Sequence, residues 1–440
     1  EKLVHYSFFE NDFLSYKNKI QKLKQLQKNL SDKNFRIEYL YQFKKLNQHW
    51  WQLPATDDLI KKKILFISGS RSEFNIINNL FLKCQHTFDT NIIVHAAHMQ
   101  SAYGNSHKST FKKKHYKKMF FIESNVGNSN SVREIAESFS KQVFKISTLL
   151  RKIKPNFIIV VGDRTETLAA ATSSLINQIP IIHLHGGELS YGSIDEKIRH
   201  SITKMSSFHF CSTNKSKKRL IQLGEDNKKI KVIGAPSLSS YDSIIYKSTR
   251  DKVFLKVNKI KQNNFILVGL NSCLTLSETE EISIKLFKYL DTLPEIKVVT
   301  YPNPDLYNQK IIDEINKRIK RSDYRIFKYL GKNYFTALKN CKYLIGNSSS
   351  GIIEAPYFNK VFINIGTRQT GRQFSKPTTL NIREVSQIEK IINSNIGLKL
   401  KNNSNNLYYN KNCESIFINS LMKINLDTIL YKKFVDLKNH

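Results

Sequence analysis

Short apolar segments alternate with helix-length segments from residue 61 to about residue 243. The apolar segments are KILFISGS, NIIVHAAH, FIIVVGDR, IPIIHLHGG, SFHFCST and IKVIGAP. Strands that are apolar on both faces and separated by helices are typical of a parallel sheet covered on both sides. The pattern therefore predicts an α/β fold with a Rossmann-like N-terminal domain over residues 61–243.

A second series of such segments begins at about residue 264 and comprises NFILVGL, IKVVTYPNP, YRIFKYL, KYLIGNSSSG and KVFINIGTR. It predicts a second Rossmann-like domain over residues 244–395 that faces the first across a cleft. In open parallel sheets, ligands bind beyond the carboxyl ends of the strands. The polar motifs of both series directly follow strands, so we expect them to converge in the cleft.

The two ends of the chain lack this alternation of short apolar segments and helix-length segments. Residues 1–60 are rich in lysine, glutamine and aromatic residues. They predict an N-terminal helical extension that packs on the core or mediates assembly, with a basic docking arm as the alternative. Residues 396–440 predict an asparagine-rich linker, a return helix and a tail.

The formal net charge of +34 at pH 7 is typical of proteins that bind nucleic acid or another acidic partner. The excess is mostly lysine, spread along the whole chain rather than gathered on one motif. We therefore predict no nucleic-acid partner, and we expect the cationic surface to favour a substrate that carries a diphosphate.

The five cysteines are scattered and include no CxxC pair, which is typical of a protein in a reducing compartment and indicates neither a zinc site nor a redox couple. The apolar runs are far shorter than the roughly 20 residues that span a bilayer. We therefore expect a cytoplasmic protein without a membrane span.

The segment NSSSGIIEA ends a strand and begins a helix. Backbone N–H groups, the hydroxyls of Ser348 and Ser349, and the helix dipole would together bind phosphate oxygens. Glu354, further along, would accept hydrogen bonds from a ribose diol. The alternative is a serine N-cap without a ligand.

Three arginines follow strands in the same way. Arg71 lies in SGSRSEF, and Arg368 and Arg372 lie in GTRQTGR. A guanidinium at such a position can bind a diphosphate in bidentate fashion. The alternative for each is a structural salt bridge, such as one at a helix start. Together with the serines, the arginines predict a nucleotide-diphosphate site.

Asp163 directly follows an apolar strand, where a carboxylate is costly unless it is paired or functional. We interpret it as a catalytic candidate, with pairing to the neighbouring Arg164 as the structural alternative.

The stretch HLHGGELSYGSIDEKIRH concentrates further candidates for proton transfer. His185, Glu188 and Asp195 surround a glycine pair that lets backbone approach a ligand closely. His183 alternates with apolar residues on a strand, so we predict that it is a core histidine.

These motifs resemble those of the hydrolysing UDP-N-acetylglucosamine 2-epimerases, the family that makes N-acetylmannosamine for sialic and related nonulosonic acids. The resemblance covers roughly residues 62–424. It rests on GSRSEF, YGNSHK, LRKIKPNFIIVVGDRTETLAAA, IPIIHLHGGELSYGSIDEKIRHSITKMSSFHF, IQLGED, VIGAPSLSSYD, YPNPD and GNSSSGIIEAPYFNKVFINIGTRQTGR.

The resemblance implies a GT-B-like fold with a UDP-sugar in the cleft, no metal or redox cofactor, and a homodimer or homotetramer. It also implies a reaction in which a base removes the C2 proton, UDP leaves by anti elimination and water adds to the glycal. UDP-N-acetylglucosamine and water would give N-acetylmannosamine and UDP. Related members act on UDP-2,4-diacetamido-2,4,6-trideoxy sugars, which is the alternative.

The resemblance also assigns site residues. The acidic positions of the family's motifs correspond to Asp163, Glu188 and Asp195, and His185 lies where members carry glutamate or histidine. The UDP-binding positions correspond to Arg71, Asn303, Ser348, Ser349, Glu354, Arg368 and Arg372. Which group removes the C2 proton stays open at this point.

One departure from the family pattern concerns a His-Pro dipeptide after the first strand of the second domain. The matching stretch is ILVGLNSCLTLSETEE, which we align with Ser272 in place of the histidine and Cys273 in place of the proline. Loss of a general acid costs roughly 10²–10⁴-fold in rate. A slower enzyme, an altered substrate, or a protein that binds a UDP-sugar without turnover would each fit this change.

Overall fold

The structure is a computed structural model that describes residues 61–100, 106–111, 116, 118–123, 131–239, 248–331, 333–375, 378–393 and 406–436. The helical extension predicted for residues 1–60 lies outside the described residues, and so does most of the predicted asparagine-rich linker.

Seven parallel strands form the first sheet, in the order β3-β2-β1-β4-β5-β6-β7. The strands are β1 (Lys63–Ser68), β2 (Asp89–Val94), β3 (Met119–Phe121), β4 (Phe157–Val161), β5 (Ile181–Leu184), β6 (Phe208–Cys211) and β7 (Ile230–Val232). The order reverses between β1 and β4, which opens a crevice at the carboxyl ends of these two strands.

Helices connect these strands, and two of them begin with a reciprocal capping box, Ser70 with Glu73 and Ser131 with Glu134. The helices are α1 (Arg71–Thr87), α2 (Ser106–Thr110), α3 (Val132–Ile153), α4 (Thr165–Ile176), α5 (Asp195–Met205), α6 (Asn214–Gln222) and α7 (Pro236–Ser239), with 3₁₀ turns at Ala96–Met99 and Asn227–Lys229.

Six parallel strands form the second sheet, in the order β10-β9-β8-β11-β12-β13. The strands are β8 (Phe265–Gly269), β9 (Ile296–Thr300), β10 (Tyr324–Phe327), β11 (Tyr343–Gly346), β12 (Val361–Ile365) and β13 (Thr379–Ile382). Its order reverses between β8 and β11, so this sheet offers a second crevice of the same kind.

The second half carries the other helices of the described residues. They are α8 (Ser248–Val257), α9 (Leu276–Thr292), α10 (Asn308–Asn316), α11 (Asn333–Asn340), α12 (Ser349–Ile353), α13 (Gln387–Asn393) and α14 (Cys413–Met422), with a 3₁₀ turn at Ala355–Phe358.

Both faces of each sheet are buried. On β1, Ile64 and Phe66 enter one core, whereas Leu65 and Ile67 enter another. The second sheet divides its side chains between two cores in the same alternating way. The apolar runs of the sequence are strands buried on both sides, and the predicted α/β class with two Rossmann-like, GT-B-like domains is confirmed.

The last described segment of the chain packs on the first sheet. Helix α14 lies in the core of that sheet, where the Phe417 and Phe210 rings are 4.7 Å apart. Beyond it, the Lys432 ammonium binds Glu225 at 2.7 Å, and the Val435 amide donates to the Gly224 carbonyl. The return helix expected from the sequence therefore completes the N-terminal half.

All five cysteines are buried as free thiols. In the part of the chain that the structure describes, no helix is both long and apolar enough to cross a membrane.

Candidate active site

One cavity lies between the carboxyl ends of the two sheets, and it brings together nearly all of the candidates from the sequence. Glu188 lies behind the cavity wall, and its side chain is buried. The cavity is lined by Arg71, Asp163, His185, Asp195, Asn303, Ser348, Ser349, Glu354, Arg368 and Arg372.

The serine segment begins a short helix at the cavity. Ser348 is the N-cap of α12, and its hydroxyl accepts a hydrogen bond from the Ser350 amide. The Tyr334 hydroxyl contacts Ser350 from the side. The N-cap that was the alternative for this segment is therefore present, and Ser349 and Glu354 lie on the same wall of the cavity.

Arg71 links the two halves of the molecule. It is the first residue of α1, yet its guanidinium donates to the Lys328 carbonyl and lies over the Tyr329 ring at 5.0 Å. Both partners belong to the segment that follows β10. The position after a strand was predicted correctly, and the contact to the other domain was not foreseen.

Arg368 makes three contacts on the cavity wall. Its Nη1 donates to the Ser272 carbonyl at 2.7 Å, and its Nη2 lies 3.3 Å from Asp195 and 3.2 Å from Asp305. Arg164 approaches the same Asp305 at 2.9 Å from the first domain. Opposite charges from the two domains thus alternate across the cleft.

Asp163 pairs with Arg199, and the predicted alternative of a pair with the neighbouring Arg164 is wrong. Arg164 instead binds Glu166 at 2.8 Å and reaches across the cleft. The reason is geometric, because Asp163 follows Gly162, whose φ of +74° turns the chain between the strand and the helix. Arg199 lies on α5, where only 1% of its side chain is exposed.

His185 is held by a buried hydrogen-bond cluster. Its Nδ1 lies 2.8 Å from Glu188 Oε1 and 2.9 Å from the Ser212 hydroxyl, which itself lies 2.6 Å from the same carboxylate oxygen. Arg372 binds the other oxygen of Glu188 at 2.9 Å. Among the described residues, no group forms a hydrogen bond with His185 Nε2, although that atom is buried.

The backbone of His185 contributes to this arrangement. Its φ is +65°, a left-handed conformation that is uncommon for a residue with a side chain. Its amide is fixed to β6 by a 2.9 Å hydrogen bond to the Phe210 carbonyl. His185 held in this conformation lines the cavity.

The carboxyls at the cavity differ in protonation. Burial and the nearby Asp163 charge raise the pKa of Asp195 to about 6, against the Arg368 charge. Burial also raises the pKa of Asp163, but the Arg199 and Arg372 charges outweigh it, so the net pKa is lowered. The pKa of Glu188 is likewise lowered, because Arg372, His185 and Ser212 outweigh its burial. Of these three carboxyls, Asp195 is the one whose pKa is raised. Glu73 also lines the cavity, and burial together with the Glu166 charge raises its pKa to about 7.

The stretch that departs from the family pattern lies beside Arg368. Asn271 lines the cavity, and its Oδ1 accepts a hydrogen bond from the Asn303 amide at 2.9 Å. Asn347 binds both the amide and the carbonyl of Asn271. Ser272 is only 2% exposed, and its hydroxyl has no hydrogen-bond partner in the described chain. At this point it is Asn271, rather than Ser272, that is directed toward the ligand space.

His183 is fully buried on β5, with Nε2 at 2.8 Å from the Gly162 carbonyl. Burial lowers its pKa to about 3. The prediction of a core histidine is confirmed.

Sequence reasoning did not single out several residues of the site, among them Arg199, Asp305, Ser212 and Asn271. Two had a usable signal, because Arg199 lies one helical turn after Asp195 in SIDEKIRH and Asp305 ends YPNPD. Ser212 and Asn271 had none, since each is a small polar residue after a strand and only the folded sheet places it beside the cavity groups.

Comparisons with known proteins agree with this architecture. A family model described as UDP-N-acetylglucosamine 2-epimerase matches residues 82–422. The GDP/UDP-N,N'-diacetylbacillosamine 2-epimerase (hydrolyzing) of Campylobacter jejuni is 34% identical over 391 residues, 86% of this chain and 100% of that protein. The UDP-N,N'-diacetylbacillosamine 2-epimerase (hydrolyzing) of Legionella pneumophila is 31% identical over 322 residues, 71% of this chain and 83% of that protein.

Among solved structures, the UDP-GlcNAc 2-epimerase from Neisseria meningitidis bound to UDP-GlcNAc matches with a TM-score of 0.67. The match covers 82% of this chain and 100% of that one, at 17% identity, and it therefore supports the fold. The family model spans most of the chain and includes both halves of the cleft. The chain belongs to the UDP-N-acetylglucosamine 2-epimerase family.

Proposed function

We propose that this protein is a hydrolysing UDP-sugar 2-epimerase whose substrate is UDP-2,4-diacetamido-2,4,6-trideoxyglucose. The observation that carries the proposal is the unpartnered, buried Nε2 of His185 at a cavity that also holds Asp195 and Arg368. A proton acceptor, a carboxyl that can hold a proton and a guanidinium are the three groups that an elimination of a diphosphate requires.

In the proposed first step, His185 Nε2 removes the proton at C2 of the sugar. The electron pair of the C2–H bond forms the C1–C2 double bond, and the C1–O bond breaks with its electrons leaving on UDP. Arg368 and Arg372 would stabilise the charge that develops on the diphosphate. Asp195 contacts Arg368 and has a pKa raised by burial to about 6, so we assign it as the acid on the side of the leaving group.

In the second step, water adds to the glycal. Its hydroxyl bonds to C1, and a proton is delivered to C2 on the face opposite to the one that lost it, so that the product is the free 2-epimer. Asp163 stays ionised beside Arg199 and is assigned to orient the sugar or the water. Glu188, which lies behind His185, is assigned to hold the imidazole.

The nucleotide is assigned to the second domain and to Arg71. Ser348, Ser349 and Asn303 would contact the diphosphate, and Glu354 would accept hydrogen bonds from the ribose. These residues line one continuous wall of the cavity. A hydrogen-bonding wall on one side and proton-transfer groups on the other suit a substrate that is held by its nucleotide and reacts at its sugar.

The choice of sugar is supported by the relatives. The names of the Campylobacter jejuni and Legionella pneumophila proteins specify diacetylbacillosamine, which is the 2,4-diacetamido-2,4,6-trideoxy sugar. This reverses the order given by the motif resemblance, in which UDP-N-acetylglucosamine came first. UDP-N-acetylglucosamine remains the second candidate because the matching family model carries its name.

Proton NMR of the purified protein in deuterated water tests the proposal, with each UDP-sugar supplied separately. We expect UDP release together with a free 2-epimer that carries deuterium at C2, faster with the diacetamido sugar than with UDP-N-acetylglucosamine. The Glu188→Gln variant serves as the matched control, because it removes the carboxylate that is assigned to hold the His185 imidazole. If both substrates stay unchanged while UDP still binds, the result would contradict the proposed enzymatic activity and favour a UDP-sugar-binding protein.

The binding-protein alternative is favoured by the departure around Asn271 and Ser272. It can be addressed separately, because Asn271 lines the cavity whereas Ser272 is buried. If a missing histidine limits turnover, Asn271→His should raise the rate. Ser272→His should instead lower stability, because the larger ring would overpack a closed space.

A further inference from the structure

Ser212 lies directly after β6, on the side of His185 that faces away from the cavity. Its side chain is 2% exposed and contacts two candidate catalytic groups at once. Its hydroxyl lies 2.9 Å from His185 Nδ1 and 2.6 Å from Glu188 Oε1. No motif of the sequence and no residue assigned above accounts for this position.

The hydrogen-bond inventory fixes the direction of these contacts. Glu188 is ionised, because Arg372 binds its second oxygen and its pKa is lowered. An ionised carboxylate only accepts hydrogen bonds, so the Ser212 hydroxyl donates to it. That hydroxyl then has only lone pairs left for His185 Nδ1. Nδ1 therefore carries the hydrogen, and it is shared between the serine oxygen and the carboxylate.

The consequence concerns the other edge of the ring. A neutral imidazole has one hydrogen, and when Nδ1 holds it, Nε2 is a bare acceptor. Nε2 is buried and has no hydrogen-bond partner in the described residues, and it belongs to a residue that lines the cavity. The cluster thus prepares a proton acceptor where the sugar would bind, before any ligand enters.

We infer that Ser212 is a positioning residue that, together with Glu188, holds His185 as the Nδ1-protonated tautomer and so keeps Nε2 available as the base. The inference rests on the proposed function, in which His185 Nε2 removes the C2 proton. A carboxylate alone can orient a histidine, so the part assigned to Ser212 is the second hydrogen bond that stops the ring from rotating between its two edges.

The first test is the steady-state kinetics of Ser212→Ala with the UDP-sugar that the wild-type protein turns over. We expect kcat to fall roughly 10–100-fold, the range for lost partners behind a reacting group, with KM nearly unchanged. Ser212→Thr keeps the hydroxyl and should restore most of the rate.

Ser207→Ala is the matched control, since Ser207 is also buried and its backbone amide binds the Ile181 carbonyl. It should change neither kcat nor KM. A Ser212→Ala protein with wild-type kcat would overturn the inference. So would a Ser212→Thr protein that is no faster than Ser212→Ala.

A second measurement does not depend on turnover. In protein labelled with ¹⁵N-histidine, the nitrogen shifts of His185, assigned by its loss in His185→Gln, report which nitrogen carries the hydrogen. We expect an Nδ1-protonated ring in the wild type and a mixture in Ser212→Ala. A wild-type ring protonated at Nε2 would overturn the inference, whereas an Nδ1-protonated ring in a protein that releases no UDP would contradict only the proposed function.

Discussion

The two walls of the cleft are built from different chemistry. The wall from the first sheet carries buried ionisable groups in fixed pairs, such as Asp163 with Arg199 and His185 with Glu188. The wall from the second sheet carries hydroxyls and amides around Ser348 and Asn271, and its charged contacts to the other side come from Arg368, Arg372 and Asp305. Strongly shifted pKa values are typical of reacting groups, and neutral donors are typical of groups that hold a ligand. The first sheet is thus suited to the reaction and the second to retention of the nucleotide.

The largest expected effect comes from a substitution in the wall from the first sheet that leaves the wall from the second sheet unchanged. Asp195→Asn removes the proposed acid, so we expect turnover to fall roughly 10²–10⁴-fold. UDP affinity should be equal to or higher than that of the wild type, because Arg368 loses a competing carboxylate. Calorimetric titration with UDP beside the NMR assay would measure both. A loss of UDP affinity as large as the loss of turnover would contradict the division between the walls.

A second prediction concerns stability against pH and contrasts two carboxyls of the same wall. The pKa of Asp195 in the fold is about 6, above its ordinary value of 3.8. Its contribution to stability is therefore fully present at low pH and is lost as the pH rises from about 3.8 to about 6. The pKa of Asp163 is lowered, so its contribution is present at neutral pH and is lost on acidification.

Asparagine imitates a neutral carboxyl, so the two substitutions should have opposite signs at pH 8. Asp195→Asn should raise the free energy of unfolding by at most about 3 kcal/mol, and the difference should vanish near pH 4. Asp163→Asn should lower that free energy at pH 8, since Arg199 would stay buried without its partner. Urea unfolding at both pH values is the measurement, and equal signs at pH 8 would show that the two carboxyls do not differ as described.

The smallest expected effect comes from a substitution in the wall from the second sheet. Ser348→Ala removes the cap of α12, which should lower the free energy of unfolding by about 1 kcal/mol. If Ser348 also contacts the diphosphate, UDP affinity should fall several-fold while kcat changes little. Ser386→Ala, at an exposed position of the same half, is the control. A large loss of kcat with unchanged UDP affinity would place Ser348 with the reacting groups instead.

The fold, and the convergence of the polar motifs at one cavity, could be predicted from the sequence for a physical reason. Runs such as FIIVV can be buried on both faces only in a covered parallel sheet, and the polar motifs after them then meet at one edge. The pairing of charges was harder to predict. Arg164 is adjacent to Asp163 in the chain, yet the turn at Gly162 sends the two side chains to different partners.

Ser212 and Asn271 are residues whose role could not be predicted from the sequence. Their role depends on which strands are neighbours and on distances of about 3 Å between side chains that are far apart in sequence. Neither is a distinctive residue type, and neither lies in a recognisable spacing. The departure at Ser272 and Cys273 was visible in the sequence, but only the fold shows that Ser272 is buried and that the preceding Asn271 lines the cavity.

The position of helix α14 has a consequence for how the chain is made. Phe417 and Leu421 belong to the core of a sheet whose strands end at Val232. During translation, the first domain therefore emerges from the ribosome without helix α14. Its core stays incomplete while the second domain is translated. Because domains otherwise tend to fold in the order of synthesis, the half of the protein that emerges first is completed last. Premature termination before Cys413 would expose Phe210 and invite aggregation.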